Sequence, residues 1–217
     1  MRYYAQWIVP LVLFGFGLGF NHSAIAALQF DIEYLDSPTS GFNAQEPRQP
    51  IGGNTGTTLG EQRRQVLNTS LARFGNVLHS DITIHIKASF ANYGGSTNSA
   101  VLASAGPEWF NFDFRNAPAA KVAFPSALAS KISGQDLSDR SRNIADIALY
   151  ANADIDGNAL GSSYFYYGLD GNSPEKDVDF LSVISHELMH GLGFFSAIDL
   201  ETGHNFGCDQ ASCRRDD

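Results

Sequence analysis

Cysteine and basic residues are both scarce in this chain, and each shortage excludes a class of protein. The 217 residues include only two cysteines, Cys208 and Cys213, which excludes a zinc site built of four cysteines. Lysine and arginine together number 14 against 23 acidic residues, and the formal net charge is -9. A negative chain that also lacks a basic run is a poor partner for nucleic acid, and we expect none.

The one long hydrophobic run stands near the N-terminus. Arg2 precedes an apolar stretch from Trp7 to Phe20, and Ala24-Ile25-Ala26 fits the small-x-small rule for signal cleavage. The run is short for a membrane span, and no positive cluster follows it. We therefore expect residues 1–26 to be a signal peptide. The mature protein is then secreted or periplasmic, without a stable membrane anchor.

Export bears on the two cysteines, because an exported chain meets oxidising conditions. We expect Cys208 and Cys213 to close a small disulfide loop. Free thiols, or pairing with a cysteine of another chain, are the alternatives.

The length of the chain predicts a single domain, over residues 27–217. Alternation or a buried apolar run predicts strands over residues 28–36, 81–90, 109–114, 144–151 and 163–169. Helical spacing predicts helices over residues 59–78 and 124–132, and Gln62 to Gln65 should face solvent at the start of the first. Residues 37–58 and 91–107, rich in Gly, Ser and Asn, are predicted to be loops. The strand over 163–169 is expected to border a cleft.

Two polar features elsewhere have metal-binding interpretations that we do not favour. The Asp-x-Asp-x-Asn spacing of Asp154, Asp156 and Asn158 lacks the glycine and glutamate of a standard calcium loop, so we expect a polar turn. His85 lies on the outward face of its predicted strand, and we expect a solvated side chain.

The strongest functional signal is the segment His186-Glu187-Leu188-Met189-His190. Its surroundings predict a helix, because Phe180, Leu181, Ile184 and Leu188 recur at helical spacing. Acidic residues at 177 and 179 suit the start of that helix, and Gly191 and Gly193 suit its end.

On a helix, residues four apart lie on one face about one turn apart. His186 and His190 can therefore direct two imidazole nitrogens at one zinc ion. Glu187 projects beside them, close enough to act as general base towards a zinc-activated water.

These residues resemble the active site of the zincin metallopeptidases. The predicted order of strand, long helix, strands, edge strand and His-Glu-x-x-His helix is similar to the zincin N-terminal subdomain, over about residues 27–203. The segment from His186 to Phe194 is also similar to that of a group of exported bacterial peptidases. The resemblance implies an α+β fold, in which a mixed, twisted sheet carries a backing helix and an active-site helix.

The resemblance to the metzincin branch stops after Gly193. Its pattern, His-Glu-x-x-His-x-x-Gly-x-x-His, would place a third histidine where this chain has Ser196. The only methionines are Met1 and Met189, so the metzincin methionine turn is absent. The gluzincin branch needs a glutamate on a later helix, and Glu201 comes too soon.

The third zinc ligand is therefore not identified. His204 is the best candidate, because imidazole suits zinc. The oxygen alternatives are Asp199, Asp209, Asp216 and Asp217. Little chain follows the motif to form the lower wall of a cleft, so we expect the domain over 27–217 to be incomplete at its C-terminus.

Together these features predict a secreted zinc endopeptidase that acts on protein or peptide substrates. The zinc ligands would be His186 and His190, and the general base would be Glu187. One alternative is a catalytically inactive binding or adhesion module that keeps a relic zinc helix. Another is a metal hydrolase acting on a substrate other than peptide.

Overall fold

A computed structural model of the chain describes residues 27–196. Several predictions concern residues outside this range: the signal peptide over 1–26, the Cys208–Cys213 disulfide, and the third-ligand candidates Asp199, His204, Asp209, Asp216 and Asp217. In the described part of the chain, no helix has the length and hydropathy that a bilayer crossing requires.

Within this range, three helices and eight strands alternate along the chain. The helices are α1 (Leu59–Val77), α2 (Ser126–Ser133) and α3 (Phe180–Gly191). The strands are β1 (Phe30–Tyr34), β2 (Ile84–Ala91), β3 (Ala103–Pro107), β4 (Phe110–Asn111), β5 (Phe124–Pro125), β6 (Ile147–Asn152), β7 (Phe165–Tyr166) and β8 (Val178–Asp179). Short 3-10 turns span Gly41–Asn43, Arg140–Arg142 and Ala153–Gly157.

The main sheet has four strands in the order β1-β2-β6-β3. The pairs β1–β2 and β2–β6 are parallel, whereas β3 runs antiparallel to β6 at the edge. Helix α3 packs against β3 and β6, and α1 packs against α3. The predicted mixed, twisted sheet is confirmed, and the described part of the chain combines it with three helices.

Helix α1 begins at a capping box and buries one face. The Thr58 side chain accepts a hydrogen bond from the Glu61 amide, and the Glu61 carboxylate accepts one from the Thr58 amide. This reciprocal pairing satisfies amides that the helix itself leaves unpaired. Val66 and Leu67 are fully buried in the core.

The predicted solvent-facing start of α1 is wrong at Gln62 and Arg63, whose exposed fractions are 2% and 5%. The burial of Arg63 is the more costly of the two, because its side chain is charged. Its guanidinium lies 2.8 Å from Asp156 Oδ2, donates to the Tyr167 hydroxyl at 3.0 Å, and stacks 3.8 Å from the Phe90 ring centroid. Partners of this kind offset the cost of burying a charge. Asp156 therefore serves as an ion-pair partner, which agrees with the predicted polar turn.

Residues 37–58, predicted to be an exposed loop, fold back over α1. Phe42 is fully buried in the core. The buried Asn54 side chain donates to the carbonyl oxygens of Gln62 and Tyr167, so it ties the loop to the helix and to the segment after β7.

Two strand predictions near the site are wrong. Residues 91–107 were expected to be loop, yet they include the edge strand β3. The strand expected over 163–169 is reduced to Phe165–Tyr166, which pairs with β8 outside the main sheet. The strand that lies beside α3 at the sheet edge is therefore β3.

Candidate metal and catalytic site

The position of α3 is fixed by its cap and its buried stripe. The Asp179 side chain accepts a hydrogen bond from the Ser182 amide, which caps the helix start. Phe180, Ile184 and Leu188 are fully buried against the sheet. Because the stripe faces the core, His186, on another face of the helix, is exposed.

The end of α3 requires glycine for reasons of space. A Cβ at Gly191 would lie 2.4 Å from Ile147 Cγ2 on β6, closer than real Cβ contacts allow. Gly193 has a φ of +111°, a conformation that side-chain-bearing residues rarely adopt. These two glycines let the helix approach β6 and let the chain turn directly after His190.

That turn orients His190. Its Nδ1 lies 2.9 Å from the carbonyl oxygen of Phe194, which can only accept a hydrogen bond. In the neutral ring, Nδ1 therefore carries the proton and Nε2 presents its lone pair, which is the tautomer that binds a metal.

His186 and His190 are brought together as the motif predicts. Their ring centroids are 4.6 Å apart and their Nε2 atoms 3.0 Å apart. Zinc–nitrogen bonds are about 2.0–2.1 Å long, so two nitrogens this close can reach one ion. The donor pair fits zinc in both chemistry and spacing.

Glu187 lies half-buried beside the edge strand. Its Oε2 accepts a hydrogen bond from the Ala105 amide at 2.8 Å. The backbone groups of Leu102 and Glu108 form hydrogen bonds on the side of β6. Backbone groups alternate in direction along an antiparallel strand, so those of Ala103, Ala105 and Pro107 point away from β6, to the outer edge of the sheet. The outer edge of β3 is thus placed next to the predicted general base.

The described part of the chain places no third ligand near the pair. Among residues 27–196, no group of three or more His, Cys, Asp or Glu side chains is arranged to hold a metal. His85, predicted to be solvated, is instead largely buried between Asp31 and Asp136, at 3.1 and 3.4 Å. It lies on β2, away from the edge strand, and takes no part in the site.

Comparison of the chain with protein-family models, with curated proteins and with solved structures gives no match. The interpretation of the site therefore depends on the geometry and chemistry of its own residues.

Proposed function

We propose that this chain is a secreted, zinc-dependent endopeptidase with a zincin-like fold. The observation that carries the proposal is the 3.0 Å separation of the His186 and His190 Nε2 atoms, next to Glu187 at an open sheet edge. The hydrogen bond from His190 Nδ1 to Phe194 adds support, because metal-binding histidines almost always donate their other ring N–H in this way.

The proposed zinc ligands in the described chain are His186 and His190. Zinc held there would supply Lewis acidity, polarising a carbonyl group and lowering the pKa of bound water towards about 7. His204 and the aspartates that follow α3 remain the proposed sources of a third ligand.

Glu187 is the proposed general base. Its carboxylate would accept a proton from the attacking water and deliver it to the amine nitrogen of the leaving peptide as the C–N bond breaks. The carboxylate is only partly buried, so water and substrate can both reach it.

The outer edge of β3 is the proposed support for the peptide. In the described part of the chain, β3 is the last strand of the main sheet, so an extended peptide can pair along it. The carbonyl oxygens of Ala103 and Ala105 would accept from that peptide, beside the Glu187 carboxylate.

The test is chelator-sensitive proteolysis by the purified chain. We expect casein to be cut, cutting to stop after removal of metal by a chelator, and added zinc to restore it. His186→Ala should be inactive, whereas Lys176→Ala, an exposed residue before α3, should match the parent. Casein cleavage that survives both the chelator and His186→Ala would contradict the proposal.

One observation favours the inactive binding module as a second candidate. Among the described residues, the site has two histidine donors and no third ligand, whereas zinc sites in enzymes ordinarily have three protein ligands. This candidate predicts little bound zinc and no chelator-sensitive cleavage by the same protein.

A further inference from the structure

A pair of aromatic rings stands beside the candidate site. Phe195 lies just after α3, and its ring meets that of Phe110 on β4 edge-on, with centroids 6.1 Å apart. Phe195 keeps 37% of its surface exposed, and the neighbouring Phe194 keeps 72%. Exposed aromatic rings that adjoin one another form a contiguous apolar surface, and such a surface can bind an apolar group.

Each ring of the aromatic pair belongs to a segment that also contacts one of the proposed catalytic or metal-binding residues. The carbonyl of Phe194, one residue before Phe195, accepts the hydrogen bond from His190 Nδ1. Phe110 follows β3, the strand whose Ala105 amide holds Glu187. The pair is thus continuous with the surface along which a peptide would lie.

The backbone of β3 stops offering donors towards the aromatic pair. Pro107, the last residue of β3, directs its backbone to the outer edge but has no N–H. Because the Ala105 amide already donates to Glu187 and Pro107 has no N–H, neither residue can donate to a peptide along this edge. Side-chain contacts must therefore hold the peptide towards the Pro107 end.

We infer that the Phe110–Phe195 pair binds an apolar side chain of the peptide substrate, on the amino-terminal side of the bond that is cut. The inference deepens the proposed function and depends on it. The direction follows from antiparallel pairing, which is the more stable per residue. In antiparallel pairing, the peptide residues that lie opposite the Pro107 end of β3 come earlier in the peptide than those opposite Ala105.

The first test measures binding without turnover, in the full chain carrying Glu187→Gln. Two fluorescein-labelled peptides that differ only in Phe or Ser before the central peptide bond are compared by fluorescence anisotropy. We expect the Phe peptide to bind about tenfold more tightly, as partial burial of one aromatic ring implies. Adding Phe195→Ala should abolish this preference, and Phe195→Leu should retain most of it.

Leu35→Ala is the matched control. Leu35 follows β1 at the opposite edge of the sheet and is 45% exposed, so the preference should be unchanged. Equal affinity for the two peptides, or a preference that survives Phe195→Ala, would overturn the inference. So would a parent dimer that Phe195→Ala converts to monomer, since a second copy would then cover the rings.

Cleavage of a mixed peptide library by the parent protein shows on which side of the cut bond the apolar residue lies. We expect Phe, Tyr, Leu and Met to be enriched within about four residues before the cut. Zinc-dependent cleavage without that enrichment would support the proposed function and overturn the inference. A Phe195-dependent preference in binding, with neither zinc nor cleavage, would overturn the proposed function and with it the role of the pair in substrate binding.

Discussion

Glu187 and Ala105 are separated by 82 residues in sequence, and a 2.8 Å hydrogen bond joins the carboxylate of one to the amide of the other. This contact ties the helix that carries the two histidines to the edge of the sheet. The proposed general base, the two imidazoles proposed to bind zinc and the sheet edge proposed to pair with the peptide thereby meet at one place. The endopeptidase proposal depends on that meeting, since each part alone occurs in proteins of many functions.

Replacement of the proposed general base should separate catalysis from metal binding. Glu187→Gln keeps an oxygen that can accept from the Ala105 amide, so we expect the fold and the zinc content to persist. Peptide cleavage should fall about 10²- to 10⁴-fold, because proton transfer is lost. Cleavage rates and bound zinc are measured on the same preparation. Glu175→Gln, at an exposed position before α3, serves as control, and equal rates in the two variants would refute the role of Glu187.

The approach of α3 to β6 should be sensitive to one added methyl group. Gly191→Ala would place a Cβ against Ile147, and overpacking of this kind costs about 1–3 kcal/mol. We expect a lower denaturation midpoint and weaker zinc binding, because His190 is the preceding residue. Gly157→Ala, with no atom within 4 Å of the added Cβ, should unfold at the parent's midpoint. A Gly191→Ala variant as stable as the parent would show that α3 has room to move.

The buried Arg63 should be essential to stability. Arg63→Met removes the charge that pairs with Asp156 and leaves that carboxylate, itself largely buried, without its cation. Loss of one member of a buried pair costs about 3–5 kcal/mol. Urea titration should show this loss, whereas Arg73→Met, at an exposed position of the same helix, should change little. Equal stability of the two variants would contradict the role given to the pair.

Tyr167 should make stability depend on pH in the alkaline range. Burial raises the pKa of its hydroxyl well above the ordinary value of 10. The unfolded chain therefore ionises first, and the contribution of Tyr167 is complete below about pH 10 and is lost as the pH rises above that value. In Tyr167→Phe, the slope of unfolding free energy against pH should be shallower there by about 1.4 kcal/mol per pH unit. Parallel slopes in parent and variant would contradict this.

Much of the fold follows from local sequence pattern, whereas strand β3, which lies beside the site, does not. The stripe on α3 and the alternation in β1 predict their elements, because burial of those apolar residues is what holds the elements in place. Strand β3 reads Ala-Ser-Ala-Gly-Pro, which has no apolar alternation and a low β-propensity. Its conformation comes from pairing with β6, whose partner residues lie 40 to 48 positions later, and no local signal reveals that pairing.

The burial of Arg63 escaped prediction for a related reason. A charge is normally solvent-exposed, and its partners here come from positions 156 and 167, distant in sequence. At the site, the spacing of His186, Glu187 and His190 predicts their shared location, since one helical turn decides it. The contact of Glu187 with Ala105 depends on the register of β3, which only the folded chain reveals.

Zinc content of the purified chain is the most direct test of the central claim. After dialysis against metal-free buffer, elemental analysis should find close to one zinc per chain, and His186→Ala and His190→Ala should each lose it. His85→Ala, at a histidine outside the site, should retain the metal. A parent chain that holds no zinc, or one that keeps it in both site variants, would contradict the claim that these two imidazoles form a metal centre.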